Sequence, residues 1–132
     1  MHDLVAVAVA IGLHYYQGTP TVTMRSEMTK RLSACVFWND KEIAMYTGRP
    51  PAMSHRFYSC PLPLDLSDEA IYEGGARLQE EIDNLDANGW NTKGDLNDST
   101  ICRGLALSAR IQDEIMELFV GTPENFSIDR VK

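Results

Sequence analysis

The chain has 132 residues, with 12 Lys and Arg against 19 Asp and Glu, a net charge of −7 and 44% hydrophobic residues. One domain suits that length, and the composition is that of a chain with a core, which argues against wholesale disorder. The acidic balance also argues against direct grip on nucleic acid, because phosphate contacts rest on clustered Lys and Arg. The charge is uneven. Residues 1–63 carry six basic and four acidic side chains, whereas residues 64–132 carry six basic and fifteen acidic ones. An acidic second half of this kind reads as solvated helix surface.

The first predicted element is a helix from about Asp3 to Leu13. Leu4 to Leu13 is ten residues, too short for the roughly 20 that span a bilayer. Its Met1-His2-Asp3 flank lacks the basic start of a signal peptide. Asp3 suits the N-cap, and with no polar face the helix is expected to be buried all round. Gln17-Gly18-Thr19-Pro20 supplies a turn. A second, longest helix begins near Thr23 or Ser26 and stops at Gly48, ahead of Pro50 and Pro51. Met28, Leu32, Cys35, Val36, Ile43 and Tyr46 mark its expected inner stripe, widened by Phe37 and Trp38.

Residues 50–66 hold four of the six prolines and read as an extended segment laid over the helices. Ser67 or Asp68 caps a short turn. A third helix from about Gly75 to Leu85 places Leu78, Ile82 and Leu85 inward and Glu80, Glu81 and Asp83 outward. Asp86 to Asp98 is a polar loop. The last helix runs from about Asp98 to Val120, with Ile101, Leu105, Ile111, Ile115, Leu118 and Phe119 as its apolar side. The expected fold is all-α, an irregular multi-helix bundle with a Pro-rich extended segment, spanning 1–121 and followed by a loose tail at 122–132.

Chemistry-bearing residues are scattered. Cys35, Cys60 and Cys102 form no C-x-x-C, and an odd count leaves no complete disulfide set, so reduced structural thiols are expected. Cys35 falls on the inner stripe of the second helix, and Cys60 is the loop cysteine. His2, His14 and His55 do not pair with the cysteines at zinc-ligand spacing; His55 and Cys60 are the nearest couple, and one couple is not a site. Glu80-Glu81 and Asp113-Glu114 are sequence neighbours that diverge on a helix, and read as solvated faces. Gly74-Gly75 lacks the Lys-Ser/Thr of a phosphate loop. No catalytic, cofactor-binding or metal-ligating residue is expected, and the chain does not read as an enzyme.

A set of ordered motifs carries more information. Gly12-Leu13-His14 is followed by Glu27-x-x-Lys30-Arg31-Leu32, then Phe37, Asp40-Lys41, Gly48-Arg49-Pro50 and Pro61-Leu62-Pro63. This order and spacing resembles the middle homology region of the fungal binuclear zinc-cluster transcription factors, most clearly over residues 4–63. The chain departs from the family pattern at Ser33-Ala34, where an aromatic pair is usual, and at Asp40-Lys41, where Asp-Arg is usual. Read as structure, Gly12 allows close helix approach, His14 caps the carbonyls that end the first helix, and Asp40 pairs with Arg49 across the end of the second. Arg31 stands nine residues before Asp40, too far for a pair on one helix, so each is expected to meet a partner from another segment.

The resemblance implies a regulatory domain that acts in the nucleus on DNA-templated transcription, through contacts with other regulatory proteins, with upstream segments of the same domain, or with a small-molecule effector seated in an apolar cavity. It implies no direct nucleic-acid or membrane contact. In the family a separate N-terminal cysteine-rich cluster holds zinc and reads DNA, so no cofactor is expected in this chain, which looks like the later part of the domain: a fragment, a truncated product or a reduced relative. The alternative is a small helical ligand-binding or scaffold protein with no DNA-linked role.

Overall fold

A computed structural model describes residues 2–120; the tail at 122–132 lies outside the described residues. In chain order, α1 (His2–Ala10) is followed by a 3-10 turn at Leu13–Tyr15, then α2 (Met24–Thr47), a 3-10 turn at His55–Phe57, α3 (Asp68–Glu73), α4 (Gly75–Asp83) and α5 (Asp98–Val120). The class is all-α: among the described residues the only strand-like pairing is the bridge between Leu85 and Asn91. The long helices α2 and α5 pack along each other, α1 lies on α2, and α3 packs on α4. Residues 58–67 have no regular structure. None of these helices is long and apolar enough to cross a membrane.

The ends of α2 follow from local chemistry. Thr23 is extended, and its hydroxyl accepts the Ser26 N–H at 3.1 Å, satisfying one of the free amides of the first turn. Gly48 closes the helix in the left-handed region at φ +65°. A Cβ there would meet nothing within 4 Å, so a side chain at this position costs backbone energy alone. Gly48→Ala is expected to destabilise the chain by about 1 kcal/mol in urea unfolding, with the slope unchanged.

Which faces are buried differs from the expectation. Of α1, Val5 and Ala8 are buried, while Leu4, Val7 and Val9, with Ile11 in the turn that follows, face outward; a single helix beside α2 has neighbours on one side only. The helix starts at His2, which puts Asp3 inside the first turn, favourable against the helix dipole but not the cap. On α2 the buried side is Glu27, Arg31, Ala34, Phe37, Lys41 and Ala44, whereas Met28, Leu32 and Tyr46 of the expected stripe are exposed. On α5 it is Ser99, Arg103, Ala106, Ala109, Asp113 and Met116, and Ile101, Ile111, Ile115 and Phe119 point outward. Both buried faces keep helical periodicity. Alanines at the centre let the two backbones approach, and charged side chains fill the ends. The apolar cluster is accordingly small: Val5, Ala8, Leu13, Val36, Phe37, Met53 and Ala109, with Trp38 and Tyr58 packed against it.

Candidate functional site

The Gly-Leu-His segment is a hinge between three elements. Gly12 takes φ +74°, which turns the chain off α1 into the 3-10 turn, and a Cβ there would strike the Tyr15 ring at 2.8 Å. The Leu13 carbonyl accepts the Ser33 hydroxyl at 3.0 Å, and that hydroxyl lies 3.0 Å from the Tyr58 phenol. The His14 carbonyl accepts the N–H groups of both Ser59 and Cys60 at 2.9 Å. His14 therefore works through its backbone; its ring does not cap α1, and its Nδ1 is buried without a partner. Tyr58 stacks on Phe37, with ring centroids 4.2 Å apart. Burial pushes the Tyr58 phenol and the Cys60 thiol above their ordinary pKa values.

The charged motif of α2 divides into two buried clusters. In the first, Glu27 is fully buried: one carboxylate oxygen accepts from Lys30 Nζ at 2.6 Å and the other from the Leu64 N–H at 2.8 Å. Arg31 reaches across to Asp68 at 2.5 Å and to the Leu66 carbonyl at 3.4 Å. These bonds fasten residues 64–68 to the first turns of α2.

In the second cluster, Asp40 accepts the N–H groups of Ala52 at 3.0 Å and Met53 at 2.9 Å. Lys41, with no exposed surface, bonds Asp40 at 2.9 Å and the Met53 carbonyl, and lies 3.4 Å from Asp113 on α5. Asp113 also accepts the His55 N–H at 2.6 Å, and His55 Nδ1 lies 2.6 Å from the same carboxylate. Asp40 is thus committed to the backbone after α2, and the expected Asp40–Arg49 pair does not form: Gly48, Arg49 and Pro50 all sit at the exposed end of the helix. Asp113 is 1% exposed, so it is a core residue and not the solvated one its sequence neighbourhood suggested.

A third polar centre was not singled out from sequence at all. Asp65, 2% exposed, accepts from Thr100 Oγ1 at 2.5 Å, from Asn91 N–H at 3.1 Å, from Asn91 Nδ2 at 2.5 Å and from Asn97 Nδ2 at 3.3 Å. Burial alone would raise this carboxyl; the hydrogen bonds outweigh it and hold the pKa below the ordinary value. Beside it, Arg103 donates to the carbonyls of buried Pro63 at 2.5 Å and Asn88 at 2.6 Å, and its guanidinium lies 4.3 Å from the centre of the Trp90 ring. Glu81, expected outward, instead accepts from Ser67 N–H at 2.8 Å and Ser67 Oγ at 2.6 Å, tying α4 to the cap of α3. The signal available in sequence was the spacing Ser99, Arg103, Ala106, Ala109, Asp113, which marks a helix face too polar or small to be read as core.

Chemically these centres are occupied with one another. His55, Asp113 and Glu117 offer ligand atoms within 4.8 Å of one another, but Asp113 is bonded to His55 and Lys41, and Glu117 is held by Arg56 through two bonds of 2.8 and 3.1 Å. The Glu117 carboxylate raises the Arg56 pKa through that hydrogen bond. Between α4 and the 86–98 loop lies a cleft of about 220 Å³, lined by polar and charged residues including Asp65, Arg77, Glu81, Asn91 and Lys93. An open apolar groove of about 520 Å³ follows α1, along Val5, Ala6, Val9, Ala10 and Ala52. The larger exposed features are the outward apolar rows: Leu4 and Val7 on α1 with Ile11 just past its end, and Ile101, Ile111, Ile115 and Phe119 on α5.

Comparison with known proteins places the buried motifs. Residues 3–109 match the model of the fungal specific transcription factor domain, a span that contains every motif residue from Gly12 to Pro63. The chain is 40% identical over 65 residues to the thiamine repressible genes regulatory protein thi1 of Schizosaccharomyces pombe, a match covering 48% of this chain and 8% of that protein. No solved structure matches. The motifs, the helical architecture and the matched span together make the chain a member of the fungal specific transcription factor domain family.

Proposed function

We propose that this chain is the regulatory part of a nuclear zinc-cluster transcription factor, that it acts through contact with helical protein segments outside this chain, and that DNA reading is done by a separate zinc cluster. The observation that carries this reading is the pairing of a polar interior, whose buried carboxylates and cations bond one another and nearby backbone, with apolar outer rows. On α5, Ile111, Ile115 and Phe119 are exposed at four-residue spacing, the pattern by which one helix seats against another. The net charge of −7 disfavours a role for this chain on the phosphate backbone. Zinc belongs, in this reading, to the separate cluster, and this chain holds no cofactor and performs no catalysis.

A tethered-reporter assay tests it. The chain is fused to an unrelated DNA-reading module in a fungal host, and reporter output is compared with the module alone. The fusion is expected to change output, and Ile111→Glu with Ile115→Glu to abolish the change while circular dichroism stays that of the parent chain. Unaltered output from the fusion, or full output from the double variant, would overturn the reading. Saturable small-molecule binding with no reporter effect would instead favour a free-standing binding protein.

A further inference from the structure

Two of the three thiols meet across the main helix pair. Cys35 on α2 and Cys102 on α5 are 67 positions apart in sequence, yet their sulfur atoms lie 3.9 Å from each other, and both side chains are half-exposed. Cys60 differs: it is buried, with its sulfur 3.6 Å from the Pro61 carbonyl. The α2–α5 contact is built around Ala34, Ala106 and Ala109, each almost without exposed surface, so the backbones bearing the two thiols are close. A disulfide bond is about 2.05 Å long, so each sulfur needs to move by roughly 1 Å, within the reach of a small side-chain rotation.

We propose that Cys35 and Cys102 are a reversible oxidation site, in which a peroxide-class oxidant closes a disulfide that locks α2 to α5. One sulfur attacks a peroxide oxygen; the O–O bond breaks, hydroxide leaves, and the sulfur becomes a sulfenic acid. The released hydroxide takes the first thiol's proton and becomes water; the second sulfur then attacks the first, the S–O bond breaks, and the departing hydroxyl takes the second thiol's proton and leaves as the second water. The pair loses two electrons, and one peroxide becomes two waters. A dithiol reductant reopens the bond by exchange.

The local chemistry suits a pair that rests reduced. Burial, with Cys35 beside it, pushes the Cys102 thiol up to about 11, so this sulfur stays protonated and slow to react at rest. Half-exposure gives a small oxidant access that buried Cys60 lacks.

The test uses the 132-residue chain, reduced and then titrated with hydrogen peroxide. The intramolecular product is about 2 Da lighter; free thiols fall from three to one, and a digest contains a peptide joining residues 35 and 102. Closing so long a loop is expected to raise Tm by roughly 5–15 °C, reversed by dithiothreitol. Cys35→Ser and Cys102→Ser each abolish the mass change, and Cys60→Ser retains it. A disulfide that includes Cys60, a cross-linked dimer, direct over-oxidation without the lighter product, or a bond that leaves Tm unmoved would each overturn the proposal.

Discussion

Replacing Lys41 with Met destabilises the chain by about 3–5 kcal/mol, the cost of breaking a buried charge cluster by removing one member. The stem is of similar volume, so packing changes little, and the loss falls on the ammonium. That group has no exposed surface and holds Asp40 at 2.9 Å, the Met53 carbonyl, and Asp113 at 3.4 Å. Without it two carboxylates remain in the interior, and the link between the end of α2, the following segment and α5 loses its centre. Since a domain of this size has about 5–15 kcal/mol of stability in all, much of the folded population is at risk. Urea unfolding followed by circular dichroism measures the effect. The double variant Lys41→Met with Asp113→Asn removes one of the stranded charges and is expected to recover part of the loss, whereas two independent sites would simply add. Equal stability of Lys41→Met and the parent chain would mean that the cluster contributes nothing.

The reach of the sequence differs between ends and faces. The ends of the two long helices were legible because their causes are local: the Thr23 cap and left-handed Gly48 bound α2 at Met24–Thr47, and α5 runs from Asp98 to Val120 as expected, whereas α1 stops at Ala10, short of the expected Leu13. Faces were not, because the apolar stripe is a sound guide only when the neighbour is apolar. Glu27, Arg31, Asp40 and Lys41 look like surface residues until Leu64, Asp68, Met53 and Asp113 arrive from 12 to 72 positions away. Burying such groups is tolerable only when each is paired, and the partners are set by tertiary structure alone. The family resemblance pointed to the same four side chains by a different route, as residues of the ordered motif, and the structure brings all four to the inner side of α2. Gly48, Arg49 and Pro50 belong to the same motif yet sit outside at the helix end, so the motif marks a segment and its termination as well as a buried face. Asp65 and Arg103 lay beyond both guides: each is a lone charge among apolar neighbours, Leu64 and Leu66 beside Asp65 and Ile101, Cys102 and Leu105 around Arg103, with partners that include single loop carbonyls and amides.

Asp65 therefore supplies the second large effect. Asp65→Ala removes four accepted bonds from a residue 2% exposed and leaves Thr100, Asn91 and Asn97 pointing at an empty acceptor position. Hydrogen bonds to a charged acceptor are worth about 1.5–3 kcal/mol each, but they share one group and water enters the gap, so a loss of about 3 kcal/mol is expected. The pH dependence separates the charge from the shape. The folded carboxyl titrates below its ordinary value, so its stabilising contribution is full above the unfolded pKa of about 3.9 and is lost as pH falls through the lower folded value. The stability gap between the parent chain and Asp65→Asn, which keeps the shape but turns a donor toward donors, should be flat from about pH 5 to 7 and narrow below about pH 4. A gap that widened on acidification would mean the native state holds Asp65 protonated, and the loop from Asp86 to Asn97 would then lean on Arg103 and its bond to the Asn88 carbonyl. Amide exchange at Asn91, whose N–H donates to Asp65 at 3.1 Å, distinguishes the two cases: it quickens in Asp65→Ala if the carboxylate anchors the loop, and stays slow if Arg103 does.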